Sequence, residues 1–167
     1  IGNGIDVNRF SITVPKVPYK FIWTSSPKRG LTYLLEVFPK IKEKYPESHL
    51  CIFRGREEFT PEQFATMERL SDYVHYNGGV SNDVVAQEFL QSEVWLYPTD
   101  FSETYCISAL EAQAAGCLCI CSDKAALGEV VGDRGILIHS EYGSEEYFQE
   151  MMEGLETLFE KKAEYSQ

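Results

Sequence analysis

Short apolar runs alternate along the chain with longer segments whose apolar residues recur at helical spacing. The apolar runs predict six strands, near residues 20–24, 49–54, 74–76, 94–97, 118–121 and 135–138. Strands that alternate with helices in this way are typical of a parallel sheet covered by helices on both faces. The pattern therefore predicts a doubly wound, Rossmann-like α/β domain.

The helical segments lie between these strands. Leu31, Leu34, Leu35, Phe38 and Ile41 recur at helical spacing up to Pro46, which ends the run. Further helices are predicted at 61–70, 82–91, 104–115 and 145–160, and residues 11–18 are predicted to be an extended lead-in. Ligands of such sheets bind outside the carboxyl ends of the strands, so the residues that follow each strand are the candidates for function.

Composition narrows the class of protein. The chain has 167 residues, of which 44% are hydrophobic and 25% charged, as expected for one globular domain over residues 1–167. The net charge of −11 disfavours nucleic acid as a partner, because nucleic-acid binding relies on clustered Lys and Arg. No apolar run reaches the roughly 20 residues of a membrane span. The five cysteines form no C-x-x-C pair and indicate a reducing, cytoplasmic location without a metal site.

The most informative stretch runs from Tyr97 to Gly116. A strand ends, a polar loop follows, and a helix is predicted to begin close to Thr104. The backbone N–H groups of Tyr105, Cys106 and Ile107 would then be unpaired at a helix N-terminus, which favours an anion.

Two carboxylates flank this predicted anion site. Glu103 and Glu111 are eight residues apart, about 12 Å along a continuous helix. A carboxylate accepts hydrogen bonds from hydroxyl groups, so the spacing suits a nucleotide sugar, which carries hydroxyls on both sides of its phosphates. The alternative is that both are ordinary charges of a solvated helix.

The same stretch resembles the Glu-x7-Glu region of the retaining family 4 glycosyltransferases, including the run Glu111-Ala112-Gln113-Ala114-Ala115-Gly116. The resemblance implies the C-terminal, donor-binding half of a GT-B fold. It also implies that Glu103 is the catalytic residue facing the donor sugar and that Glu111 binds the ribose hydroxyls. Thr104, Tyr105, Cys106 and Ile107 would surround the diphosphate.

The loop from Thr24 to Leu31 resembles the phosphate-binding loop of the same family, with two departures. Arg29 stands where many members have Lys, and it can grip a diphosphate with two parallel hydrogen bonds. Ser25 and Ser26 replace an upstream Gly-Arg pair, so they are both candidate donor contacts and candidate cap or turn residues.

Three weaker matches complete the resemblance, which extends from residue 1 to about 138. Residues 1–10, and with them the lead-in 1–18, resemble the segment that leads from the interdomain hinge. Gly55 resembles the turn after the second strand, although a plain turn is an equal alternative. Val80 and Asn82 resemble residues that border the base pocket.

The resemblance implies transfer of a sugar from a nucleoside diphosphate sugar to an acceptor, with retention and without a metal. The N-terminal acceptor domain is expected to be missing, so the chain alone is expected to be inactive. A nucleotide-sugar epimerase or hydrolase and a non-catalytic nucleotide-binding module remain alternatives. A flavodoxin-like or response-regulator domain is disfavoured because no acidic cluster with a matching Lys follows the strands.

Overall fold

The computed structural model describes residues 4–165, with side chains to residue 163. Its centre is a six-stranded parallel sheet with the order β3-β2-β1-β4-β5-β6. The strands are β1 (Val17–Trp23), β2 (His49–Ile52), β3 (Val74–Tyr76), β4 (Ser92–Tyr97), β5 (Leu118–Ser122) and β6 (Ile136–Ile138). The doubly wound α/β class expected from the sequence is confirmed.

Two layers of helices cover the sheet. The helices are α1 (Leu31–Lys44), α2 (Pro61–Arg69), α3 (Asn82–Gln91), α4 (Ile107–Ala114), α5 (Leu127–Val131) and α6 (Glu145–Tyr165). One layer brings α1 against α2 and, through ring contacts such as Tyr45 with Phe159, against α6. The other layer joins α3, α4 and α5. In the part of the chain that the structure describes, no helix is long and apolar enough to span a membrane.

The apolar stripe predicted on α1 forms part of the core. Leu31, Leu34, Leu35, Phe38 and Ile41 are all buried, with exposures of 2% or less. Phe38 meets Phe21 of β1 edge to face, with ring centroids 5.3 Å apart. The helical spacing of these residues in the sequence therefore marks the face that packs on the sheet.

The strand order reverses between β1 and β4. β1 pairs with β2 on one side and with β4 on the other. Loops after these two strands lead to helices in opposite layers, which leaves a crevice between them at the carboxyl edge. The fold thus places the candidate residues that follow β1 and β4 on the two sides of one opening.

The lead-in differs from the expectation. β1 begins at Val17 and includes Pro18, and the pairing with β4 shifts register between Val17 and Phe21. Pro18 has no N–H to donate to a neighbouring strand, and the irregularity at this position accommodates it. Tyr19 has a φ of 58°, and its N–H donates to the side-chain oxygen Oε2 of Glu93 at 2.5 Å instead of to a backbone carbonyl of β4.

Candidate functional site

A cleft of about 720 Å³ opens at the carboxyl edge of the sheet, where the loops after β1, β2, β3 and β4 meet the segment before β1. All the site residues that the sequence predicts line this cleft. They are Ser25, Ser26, Arg29, Gly55, Val80, Asn82, Glu103, Thr104, Tyr105, Cys106, Ile107 and Glu111. The two carboxylates are therefore on one surface, as their spacing suggested.

The start of α4 differs from the prediction. The helix begins at Ile107 rather than near Thr104. Cys106 is its N-cap and has a φ of 56°, a left-handed conformation that a helical residue cannot adopt. Of the three predicted amides, only that of Ile107 belongs to the first helical turn, and the other two amides of that turn come from Ser108 and Ala109. The N-terminus of α4, where the sequence predicts an anion, is thus three residues further along the chain.

Glu103 is buried and held by two side chains. The Tyr97 hydroxyl donates to Glu103 Oε1 at 2.6 Å, and Arg29 Nη1 donates to Oε1 at 3.1 Å and to Oε2 at 3.2 Å. Burial, with a further contribution from the Glu103 carboxylate, raises the pKa of Tyr97 well above its ordinary value. The phenol therefore stays protonated and remains a donor to the carboxylate at neutral pH.

Arg29 connects this carboxylate to the open part of the cleft. Its side chain is 39% exposed, against 5% for Glu103, and its guanidinium carbon lies 4.3 Å from the centre of the Phe101 ring. Among the described residues, Arg29 Nε and Nη2 have no hydrogen-bond partner, so one edge of the guanidinium is open for a ligand. A planar guanidinium can therefore hold Glu103 and a phosphate at once.

The two serines of the phosphate-loop match have different surroundings. Ser25 is buried, and its hydroxyl lies 2.9 Å from the hydroxyl of Ser108 in the first turn of α4. This contact ties the loop after β1 to the helix end. Ser26 is the N-cap of a 3-10 turn over Pro27–Arg29, without a side-chain capping bond. Ser25 thus connects the loop after β1 to α4 by a hydrogen bond. Ser26 is the more accessible of the two serines.

The other flank of the cleft contains Glu111. Its side chain is half-buried, and desolvation raises the pKa of this carboxyl, while Arg9 acts in the opposite direction. Val80 and Asn82 are exposed at the mouth of the cleft, and Gly55 follows β2 beside them. Glu111 is thus a partly desolvated acceptor, which ionises more readily when a donor such as a hydroxyl approaches it.

Several cleft residues were not among the predicted site residues. Arg54 and Glu58 enter from the loop after β2, and Arg9 enters from the segment before β1. Arg54 is the last residue of the strand predicted at 49–54, and its place at the carboxyl end of a parallel strand was a usable signal for it. Arg9 reaches the cleft only because its 3-10 turn packs against α3, where its guanidinium pairs with Asp83 at 3.0 Å, and no local pattern encodes this contact.

The cleft contains one buried thiol, that of Cys106. Burial raises the pKa of the Cys106 thiol to about 11, so this cleft residue is a neutral thiol at physiological pH. Within residues 4–165, no group of three or more His, Cys, Asp or Glu side chains could hold a metal ion. The hinge residues Ile1, Gly2 and Asn3 of the expected lead-in lie outside the described residues.

Comparisons with known proteins agree with this architecture. The phosphatidyl-myo-inositol mannosyltransferase of Mycobacterium tuberculosis is 25% identical over 141 residues, which are 80% of this chain and 37% of that protein. The chain spans about a third of the length of the curated relatives it matches.

Solved structures support the fold alone, because their sequence identities are low. Anabaena HepE in complex with UDP-glucose superposes with a TM-score of 0.72 at 17% identity, over 96% of this chain and 47% of that one. The C-terminal domain of a glycosyl transferase group 1 family protein from Francisella tularensis gives a TM-score of 0.68 at 19% identity, covering 94% of this chain and 88% of that domain.

The family model described as "Glycosyl transferases group 1" matches residues 19–167, which is nearly the whole chain. With the crevice at the strand reversal and the Rossmann-like half of a GT-B fold, this match shows that the chain belongs to the group 1 glycosyl transferases.

Proposed function

We propose that this chain binds the nucleoside diphosphate sugar donor of a retaining glycosyltransferase. One observation carries the proposal. The residues that the sequence predicts for phosphate, ribose and sugar contacts are far apart in the chain, yet they line a single cleft at the reversal point of the sheet. The Mycobacterium tuberculosis relative named above is a mannosyltransferase, and HepE was solved with UDP-glucose, which supports this class of ligand.

The diphosphate would lie between the first turn of α4 and Arg29. The N–H groups of Ile107 and Ser108 in that turn carry the positive end of the helix dipole, while the Ala109 N–H donates to the Cys106 thiol. The open Nε and Nη2 edge of Arg29 would bind a phosphate oxygen from the side. Charge that develops on the leaving diphosphate would be stabilised by the same groups, and the scheme requires no metal.

The hydroxyl-bearing parts of the donor would lie on either side. Glu111 would accept from the ribose hydroxyls, and Val80 and Asn82 would border the base. Glu103 Oε2 has one donor, Arg29, among the described residues and keeps capacity for a sugar hydroxyl. The Tyr97 and Arg29 bonds would fix this carboxylate against the donor sugar.

The experiment is calorimetric titration of the chain with UDP-, GDP- and ADP-sugars, alongside Arg29→Ala and Glu111→Ala. We expect one base to be preferred and each variant to bind it roughly tenfold or more weakly, the loss of one charge-assisted contact. Failure of every nucleotide sugar to bind the wild-type chain would refute the proposal.

Catalysis by the chain alone is a separate question. The curated relatives are about three times as long, and we propose that a second domain supplies the acceptor site. Turnover of about 1 per second by the purified chain would contradict this. The internal bonds of Glu103 also fit a non-catalytic binding module, for which Glu103→Ala would leave affinity for the nucleotide sugar unchanged.

A further inference from the structure

The loop after β1 is poor in positive charge where the proposed diphosphate lies. Thr24, Ser25 and Ser26 are uncharged, and Lys28 does not line the cleft. Arg29 does line it, but Glu103 already neutralises part of its charge. The diphosphate of a nucleoside diphosphate sugar carries a negative charge on each phosphate, so a second cation would contribute strongly to its binding.

Arg54 brings a cation to this loop from the neighbouring strand. It follows β2, which pairs with β1, and its Nη1 lies 3.4 Å from the carbonyl oxygen of Thr24. The guanidinium therefore lies beside the loop of serines, although Arg54 is 30 positions away in the chain. Its side chain lines the cleft and is 41% exposed.

Neighbouring residues hold both the side chain and the backbone of Arg54. Glu58 Oε1 accepts a hydrogen bond from Arg54 Nε at 2.8 Å, and the Tyr76 hydroxyl donates to the Arg54 carbonyl at 2.9 Å. Of the three guanidinium nitrogens, Nη2 alone has no partner among the described residues. Two N–H bonds of a pre-oriented cation that lines the cleft thus have no partner among the described residues.

We propose that Arg54 is the second diphosphate-binding cation of this chain. The proposal rests on the proposed function, since it assigns a further contact to the same ligand. Arg54 and Arg29 approach from the loops after adjacent strands, so they would bind phosphate oxygens from two directions. Glu58 acts as the positioning residue for Arg54 and neutralises part of its charge, so the two arginines would share the charge of the diphosphate.

Arg56 is the matched control for this proposal. It lies two residues further along, on the 3-10 turn Arg56–Glu58, and its guanidinium carbon is 5.0 Å from the centre of the Phe64 ring. Arg56 lines a different pocket, together with Met67 and His75. A general effect of lost positive charge would appear in both Arg54→Gln and Arg56→Gln, whereas a direct phosphate contact would appear in Arg54→Gln alone.

The experiment measures binding of UDP, GDP and ADP, and of uridine, guanosine and adenosine, to the wild-type chain and both variants. Calorimetry serves for the diphosphates and NMR titration for the weaker nucleosides. We expect Arg54→Gln to weaken binding of the preferred diphosphate about tenfold, to leave its nucleoside within twofold, and to preserve the urea midpoint. Arg56→Gln should change none of these.

The other outcomes separate the two proposals. An unchanged diphosphate affinity in Arg54→Gln overturns the role of Arg54 and leaves the donor site intact. An equal loss for diphosphate and nucleoside also overturns it, because Arg54 would then shape the loop or contact the base. Absence of any nucleotide binding to the wild-type chain removes the proposed function, and the role of Arg54 with it.

Discussion

Glu103 has the most demanding environment of any residue in the cleft. A carboxylate with a side-chain exposure of 5% loses most of its hydration, and this loss is tolerated only where donors replace the water. Tyr97 and Arg29 are those donors, one from the floor of the sheet and one from the rim of the cleft. The pair fixes Glu103 while leaving an edge of Arg29 open toward the solvent.

The Tyr97 hydrogen bond should be worth more than an ordinary one. Tyr97→Phe removes the donor to a buried charged group, so we expect the free energy of unfolding to fall by roughly 1.5–3 kcal/mol. Tyr147→Phe is the control, because the Tyr147 hydroxyl is also buried but lies 2.6 Å from the neutral Ser122 hydroxyl. That change should cost about 1 kcal/mol. Urea unfolding at neutral pH measures both, and equal losses would argue against a charged Glu103.

For single residues, the sequence indicated which side chains lie in the cleft but not which side chains they bond to. The eight-residue spacing of Glu103 and Glu111 left an ordinary solvated helix as an alternative, and the resemblance of the run that starts at Glu111 favoured two carboxylates in one site. The pairing of Glu103 with Arg29 joins positions 74 apart, and it depends on how two loops approach each other across the sheet. Neither composition nor periodicity encodes that approach.

At the level of elements, the loop after β1 packs directly on the loop after β4. Gly30 has a φ of 125°, and a Cβ placed there would lie 2.2 Å from the carbonyl oxygen of Pro98. Only glycine allows both the backbone conformation and the approach. This contact sets the separation of the two loops that carry Arg29 and Glu103.

Gly30→Ala tests the importance of this contact. The substitution adds backbone strain and a clash with a backbone atom, and we expect the free energy of unfolding to fall by roughly 3 kcal/mol. Gly78→Ala is the matched control, since Gly78 also has a positive φ, of 76°, but has open space around its Cβ position. It should lose about 1 kcal/mol, the strain alone. Chemical denaturation measures the free energy of unfolding of both variants. Similar losses would mean that the loops after β1 and β4 can move apart without loss of stability.

Predictions for whole elements succeeded where apolar pattern and packing coincide. The stripe on α1 and the apolar run near residues 118–121 predicted a helix and a strand that the structure contains. The start of α4 was wrong by three residues because Cys106 takes a left-handed conformation, which no sequence pattern signals. The helix α5 was missed because its five residues are too few for a period to emerge.

Across the whole molecule, one apolar cluster joins all six strands to both helical layers. It includes Trp23 of β1 and Trp95 of β4, which are about 1% exposed in the centre of the sheet. At the far edge, Tyr147, Met151 and Leu155 of α6 are completely buried. A single core of this kind favours unfolding as one cooperative unit.

A core that joins α6 to the sheet should make the two unfold together. Tryptophan fluorescence, which reports on β1 and β4, and far-UV circular dichroism, which is dominated by the helices, should give the same urea midpoint. Leu155→Ala creates a cavity under α6 and should lower both midpoints equally, by an amount equivalent to about 2–5 kcal/mol. If α6 were a separate folding unit, the substitution would shift the dichroism signal and leave the tryptophan transition in place, because Trp23 and Trp95 would then report on a sheet that does not depend on α6.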